Sequence, residues 1–134
     1  MAAPRIEHVN ITVIDPDRSA GLMQALFGWR VRWRGPARDG GRTVHVGSDD
    51  HYLALYAERE PPVAPPFAPP FAKGVPLNHV GVEVDDLDAT EGRVLAAGLV
   101  PFSHGDYEPG RRFYFIDPDG IEFEVVSYAA PPAP

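Results

Sequence analysis

Polar and apolar residues alternate from Arg5 to Ile14, with Val9, Ile11 and Val13 on one side and His8, Asn10 and Thr12 on the other. That period of two predicts a strand with one face packed and one face wet. Asp15-Pro16-Asp17 ends it. From Arg18 to Phe27 the apolar residues Leu22, Met23, Leu26 and Phe27 fall at helical spacing, and Gly28 stands where a left-handed cap closes a helix. Three strands are predicted next, at Trp29 to Arg34, Arg42 to Gly47 and His51 to Ala57. Beyond a proline-rich stretch the order returns. A strand at Leu77 to Val84 precedes a helix at Leu87 to Ala97, closed by Gly98; strands follow at Leu99 to Ser103, Arg111 to Ile116 and Ile121 to Ser127.

The second half is therefore the first half written again. Aligning EHVNITVID (Glu7 to Asp15) with NHVGVEVDD (Asn78 to Asp86) sets His8 against His79 at an offset of 71, the difference of their numbers. The cap glycines Gly28 and Gly98 differ by 70, and the same offset carries Ala54 onto Glu124. The predicted fold class is α+β: one domain over residues 1–134, built from two paired βαβββ modules at 5–58 and 77–128. A Pro-rich linker (59–76) joins them and a Pro-rich tail (129–134) follows. Neither module can bury both faces of its sheet alone, so the two are expected to bury their open faces against each other.

A pseudo-twofold relation brings equivalent positions together, which makes His8, His79 and an acid of the last strand a candidate ligand set. Glu122 and Glu124 share a strand face, and alternation alone leaves both open. Two imidazoles and one carboxylate leave vacant positions on a six-coordinate ion and suit Fe(II) or Mn(II), with Ni(II) or Zn(II) as alternatives.

Composition narrows the chemistry. The chain has no cysteine, which excludes disulfides, thiolate metal sites and cysteine nucleophiles, so any metal must rest on His, Asp or Glu. A formal charge of −7 with scattered Lys and Arg disfavours nucleic acid and anionic membranes as partners. No apolar run approaches the roughly 20 residues a membrane span needs, and the start MAAPRIEH carries no long hydrophobic region. A soluble, cytoplasmic protein is expected. The stretch EPPVAPPFAPPFAKGVP (Glu60 to Pro76) reads as a stiff strap between the modules, with Phe67 and Phe71 as anchors.

Taken in order, IEHVNITVID, the ALFGW helix end, LNHVGVEVDDLDA and FYFIDPDGIEFEV resemble the glyoxalase/bleomycin-resistance/extradiol-dioxygenase superfamily, the vicinal oxygen chelate proteins, over nearly the whole chain. The resemblance implies paired βαβββ modules forming a curled mixed sheet around a cavity, with a metal held by the first-strand histidine of each module and a last-strand acid. Its DPDG-x-x-x-E pattern selects Glu124, giving His8, His79 and Glu124. Glyoxalase I and related isomerases use a fourth ligand where this chain has Ala54, a departure that turns the reading away from lactoylglutathione lyase chemistry.

Three protein ligands resemble two other branches: extradiol dioxygenases and the fosfomycin-modifying transferases or hydrolases. The expected function is a metal-dependent enzyme on a small oxygen-rich substrate, with dioxygenase-like chemistry ahead of the fosfomycin-type and glyoxalase-like alternatives. Tyr114 and His104 are the candidate hydrogen-bond donors or proton shuttles, because a phenol and an imidazole can exchange protons with a substrate oxygen. Arg111 or Arg112 is a candidate clamp for a carboxylate or phosphonate, with Arg111 preferred; Asn10 and Tyr56 are the other candidate substrate contacts. A competing expectation is a metal-free drug-binding protein using the same cavity. A homodimer is implied by the resemblance, with modules paired within a chain or swapped between chains.

Overall fold

The computed structural model describes residues 5–60, 74, 77–107 and 110–129, so the strap residues Phe67 and Phe71 and most of the tail lie outside the described residues. The chain divides into two compact units between residues 65 and 66. The first contains β1 (His8–Thr12), α1 (Pro16–Phe27), β2 (Arg30–Pro36), a short 3-10 turn at Arg38–Gly40, β3 (Arg42–Gly47) and β4 (Tyr52–Ala57). The second contains β5 (Val80–Glu83), α2 (Leu87–Ala96), β6 (Phe102–Tyr107), β7 (Gly110–Ile116) and β8 (Glu122–Ser127).

Each unit is a four-stranded mixed sheet with one helix, and the strand orders, β1-β4-β3-β2 and β5-β8-β7-β6, are the same order written twice. The first strand lies parallel to the last, and the remaining pairs are antiparallel. The predicted α+β class and paired βαβββ modules are thus observed.

The helix ends follow from their residues. Asp15 accepts from the backbone N–H groups of Asp17 and Arg18, with Pro16 in the first turn where its missing N–H costs nothing. Its repeat equivalent Asp86 accepts from Ala89 N–H. At the far end of α2, Gly98 takes φ +81°, while Leu99 N–H donates to Val94 O at 3.1 Å and Gly98 N–H to Leu95 O at 3.0 Å. That pair of bonds is a Schellman closure.

Each sheet buries one face against its own helix. In the first module Ile11, Val13, Val44, Val46, Leu53 and Leu55 pack with Ala20, Met23 and Leu26; in the second, Phe113, Phe115, Phe123 and Val125 pack with Leu87 and Val94. Phe115 and Phe123 stack at 5.1 Å. Each such side chain contributes on the order of 1.5–3 kcal/mol on burial. The opposite, open face of each sheet carries the candidate chemistry. No helix among the described residues is long and apolar enough to cross a membrane.

Candidate functional site

The register of β7 on β8 is set by the turn Asp117-Pro118-Asp119-Gly120. Asp117 Oδ1 accepts from the backbone N–H groups of Asp119 and Ile121, both at 2.9 Å, and Gly120 takes φ +83°, which an L side chain rarely adopts. So pinned, the register puts Tyr114 directly across from Glu124. The Tyr114 hydroxyl donates to Glu124 Oε1 at 2.5 Å. This bond to a carboxylate, reinforced by burial, pushes the phenol up to about 12.

Period-two alternation adds Arg112 to the same face, where its Nη1 lies 3.6 Å from Glu124 Oε1. His79, just ahead of β5, meets the edge of Tyr114 at a centroid distance of 5.8 Å. Its Nε2 stands 4.0 Å from Glu124 Oε1 and its Nδ1 3.7 Å from Glu122 Oε2. The open face of the second module thus gathers His79, Arg112, Tyr114, Glu122 and Glu124.

The open face of the first module holds rings instead. His8 pairs across from Tyr52 and stacks on it at 4.9 Å; Tyr52 stacks on His45 at 4.5 Å; His45 meets Trp33 at 5.2 Å. The Arg32 guanidinium lies 4.6 Å over the Tyr52 ring. Asn10 and Tyr56 share this face by alternation, Asn10 across from Ala54 and Tyr56 across from Thr12.

His104 and Arg111 are not brought to the Tyr114 face. Between Phe102, which pairs with Tyr114, and Gly105, which pairs with Arg112, two residues of β6 stand against the single residue Phe113. Ser103 takes φ +53° in this bulge, and His104 turns to the helix side, stacked on Phe113 and bonded to Glu91 of α2 at 2.9 Å. Arg111 also reaches α2, where it meets Asp88 at 3.0 Å. These two side chains tie sheet to helix, and of the two candidate arginines it is Arg112 that shares the face with Glu124. The segment HGDYEPG (His104 to Gly110) contains β6 residues as far as Tyr107 and the first residue of β7.

The family model for the Glyoxalase/Bleomycin resistance protein/Dioxygenase superfamily matches residues 5–125. The chain belongs to that superfamily. Among solved structures, a glyoxylase/bleomycin resistance protein/dioxygenase domain from Frankia sp. EAN1pec is 23% identical, with a TM-score of 0.78, covering 94% of this chain and 98% of its own. The fosfomycin resistance protein FosX of Listeria monocytogenes, complexed with Mn(II) and sulfate, is 15% identical with a TM-score of 0.69, covering 94% of this chain and 93% of its own. FosX of Mesorhizobium loti is 20% identical with the same TM-score of 0.69, covering 96% of this chain and 94% of its own. Among curated proteins nothing matches.

For a member of this superfamily the question is whether these residues suit a divalent ion. Among the described residues no three His, Asp or Glu side chains are gathered closely enough to hold one. The second module does supply a pair. Donors each about 2.1 Å from one ion stand about 3.0 Å apart when cis and about 4.2 Å when trans, so the 4.0 Å between His79 and Glu124 falls within reach.

Both first-strand histidines are also oriented alike. His79 Nδ1 lies 2.7 Å from Asn78 Oδ1, and His8 Nδ1 lies 3.0 Å from Glu7 Oε1. Where those oxygens accept from Nδ1–H, a neutral ring keeps the Nε2 lone pair, the form in which imidazole ligates a metal. No pattern in the sequence marks Glu7 or Asn78 for this role; each simply precedes its histidine where the strand has not yet begun to alternate.

Proposed function

We propose that the chain is a divalent-metal-dependent enzyme acting on a small oxygen-rich substrate, with His79 and Glu124 as two ligands and His8 as the third. The carrying observation is a shared contact: each first-strand histidine has its Nδ1 beside the side-chain oxygen of the residue before it, which in the neutral ring leaves Nε2 to donate. His8 enters by repeat equivalence to His79. When bound, the metal would act as a Lewis acid toward neighbouring substrate oxygens, Mn(II) or Fe(II) being favoured by the donor set.

The chain's own residues divide the remaining work. Tyr114 holds Glu124 through its hydroxyl and can offer the same proton to a substrate oxygen. Asn10 and Tyr56 are proposed to contact substrate from the first module. With His104 on the helix side, the face of Glu124 has no histidine besides His79 among the described residues, which favours Lewis-acid chemistry of the fosfomycin type over dioxygenase-like ring cleavage. The substrate is a small molecule and the assembly a homodimer, to be checked by light scattering.

Metal content of protein purified without oxygen, beside His79→Ala and Glu124→Gln, tests the reading. Near-stoichiometric manganese, iron, nickel or zinc that both variants lose supports it. No metal after reconstitution overturns it.

One observation favours a second reading. His8 is stacked on Tyr52 within a ladder of four rings, a surface suited to a flat apolar ligand held without metal. Ligand binding that survives chelation would separate the two.

A further inference from the structure

Arg112 presents more donors than it has acceptors. Its side chain is 12% exposed. Of the five N–H donors of a guanidinium, one meets Gly110 O at 3.2 Å. Its Nη1 faces Glu124 Oε1 at 3.6 Å, too long for a hydrogen bond. Its Nε is buried with no hydrogen-bond partner among the described residues. A buried N–H without an acceptor is costly, and one that a native site keeps calls for an acceptor from outside the chain, a water or a bound oxyanion.

The group is also held in place. The Tyr107 ring lies over the guanidinium, 4.7 Å from its carbon. It reaches there by crossing Gly105, the residue paired with Arg112, where a Cβ would stand 2.5 Å from that ring. The fork is therefore oriented within the open face and not swept through solvent.

Among the described residues Glu124 is the one carboxylate within 4.0 Å of it, and that charge is shared. Glu124 Oε1 already accepts the Tyr114 hydroxyl, and if Glu124 ligates a divalent ion its charge is committed to that ion. The face then carries Arg112 and a divalent cation against Glu122 and Glu124, a net positive site. We infer that Arg112 anchors an oxyanion of the substrate, so that the substrate class is a small carboxylate or phosphonate and not a neutral polyol; this rests on the reading of the His79–Glu124 face as the substrate site. The oxyanion accepts two N–H bonds from the fork, a geometry lysine cannot reproduce.

The test uses the full-length protein with and without added Mn(II). Glycolate, methylphosphonate and ethylene glycol are titrated by calorimetry, and the Arg112 Nε–H resonance is followed by NMR. Glycolate or methylphosphonate should bind and shift that resonance, whichever binds more tightly naming the anion, while ethylene glycol binds at least about tenfold more weakly. Arg112→Gln should weaken the preferred anion by about tenfold or more, and Arg112→Lys should restore only part of it. If Arg112→Gln does not fold, the Arg112→Lys result decides alone. Anion affinity unchanged in the variant, or equal affinity for the neutral diol, overturns the inference. Manganese binding, followed in parallel by water-proton relaxation, is kept in Arg112→Gln. A wild-type protein that binds no manganese but still shows Arg112-dependent anion binding would sink the metal reading and leave this one standing.

Discussion

Replacing Tyr114 by Phe removes one hydroxyl and leaves the ring, so it isolates the bond to Glu124. The phenol donates to Glu124 Oε1 at 2.5 Å in a half-buried setting. A hydrogen bond to a charged acceptor contributes about 1.5 to 3 kcal/mol net. The phenol itself gives an independent figure: its rise from 10.0 to about 12 corresponds to about 2.7 kcal/mol favouring the protonated form. Some of that rise comes from burial and not from the bond, so a loss of about 2 kcal/mol is expected at neutral pH. The sign across pH follows. A folded-state value above the unfolded one means the stabilisation is complete below about pH 10 and is lost as pH climbs from about 10 to 12. Urea unfolding of chelated wild type and Tyr114→Phe should therefore show a lowered midpoint at unchanged slope. The absorbance difference at the tyrosinate band between the two proteins should rise about two pH units later than an ordinary phenol. A midpoint cost under about 0.5 kcal/mol, or a difference spectrum centred near pH 10, would refute the bond as described.

The turn that pins the site makes a second prediction. Asp117→Ala removes two side-chain bonds to buried or half-buried backbone N–H groups, and should cost about 2 to 3 kcal/mol in urea unfolding. It should also weaken metal binding by loosening the Tyr114–Glu124 register, and unchanged values in both assays would argue against that coupling. His45 supplies the acid limb: burial, followed by repulsion from Arg32 and from His8 whenever that ring is protonated, lowers it below 6.5. Its contribution is complete above about pH 6.5 and is lost as pH falls through the depressed value, so wild-type unfolding midpoints should drop between pH 7 and 5 more than those of His45→Gln.

Much of this architecture is readable along the chain because both modules use the same local rules. Alternation from His8 to Val13, the caps Asp15 and Asp86, and the glycines at 28 and 98 each act over a few residues, and repetition confirms each by a second instance. The β6 region was misread for a local reason too. Its bulge depends on Ser103 adopting φ +53°, a conformation serine does not advertise, and one extra residue there reverses which side His104 faces. Arg112 over Arg111 was available from parity, since Arg112 lies two residues before Tyr114. The ring ladder was less accessible: Tyr52 and His45 meet diagonally across β4 and β3, and nothing in either strand alone predicts that contact.

Duplication explains why the two open faces differ so much. A repeated unit needs its packed face to keep one pattern, because Phe113, Phe115 and Phe123 in one module and Val44, Leu53 and Leu55 in the other must each fill the space under a helix. The open face carries no such demand, so its residues can diverge position by position. Tyr52 occupies the place that Glu122 takes in the second module, and Ala54 the place of Glu124. The first module thereby carries neither acid and presents a stacked surface, while the second carries both carboxylates with a phenol and a guanidinium beside Glu124. His8 and His79 are the same residue type in equivalent places and make the same Nδ1 contact to the side chain before them. Packing places no such demand on two half-exposed rings, since an apolar or small polar residue would serve a strand start as well. The shared feature is an Nδ1 held by the preceding side-chain oxygen, the arrangement the proposed metal reading calls for in both rings.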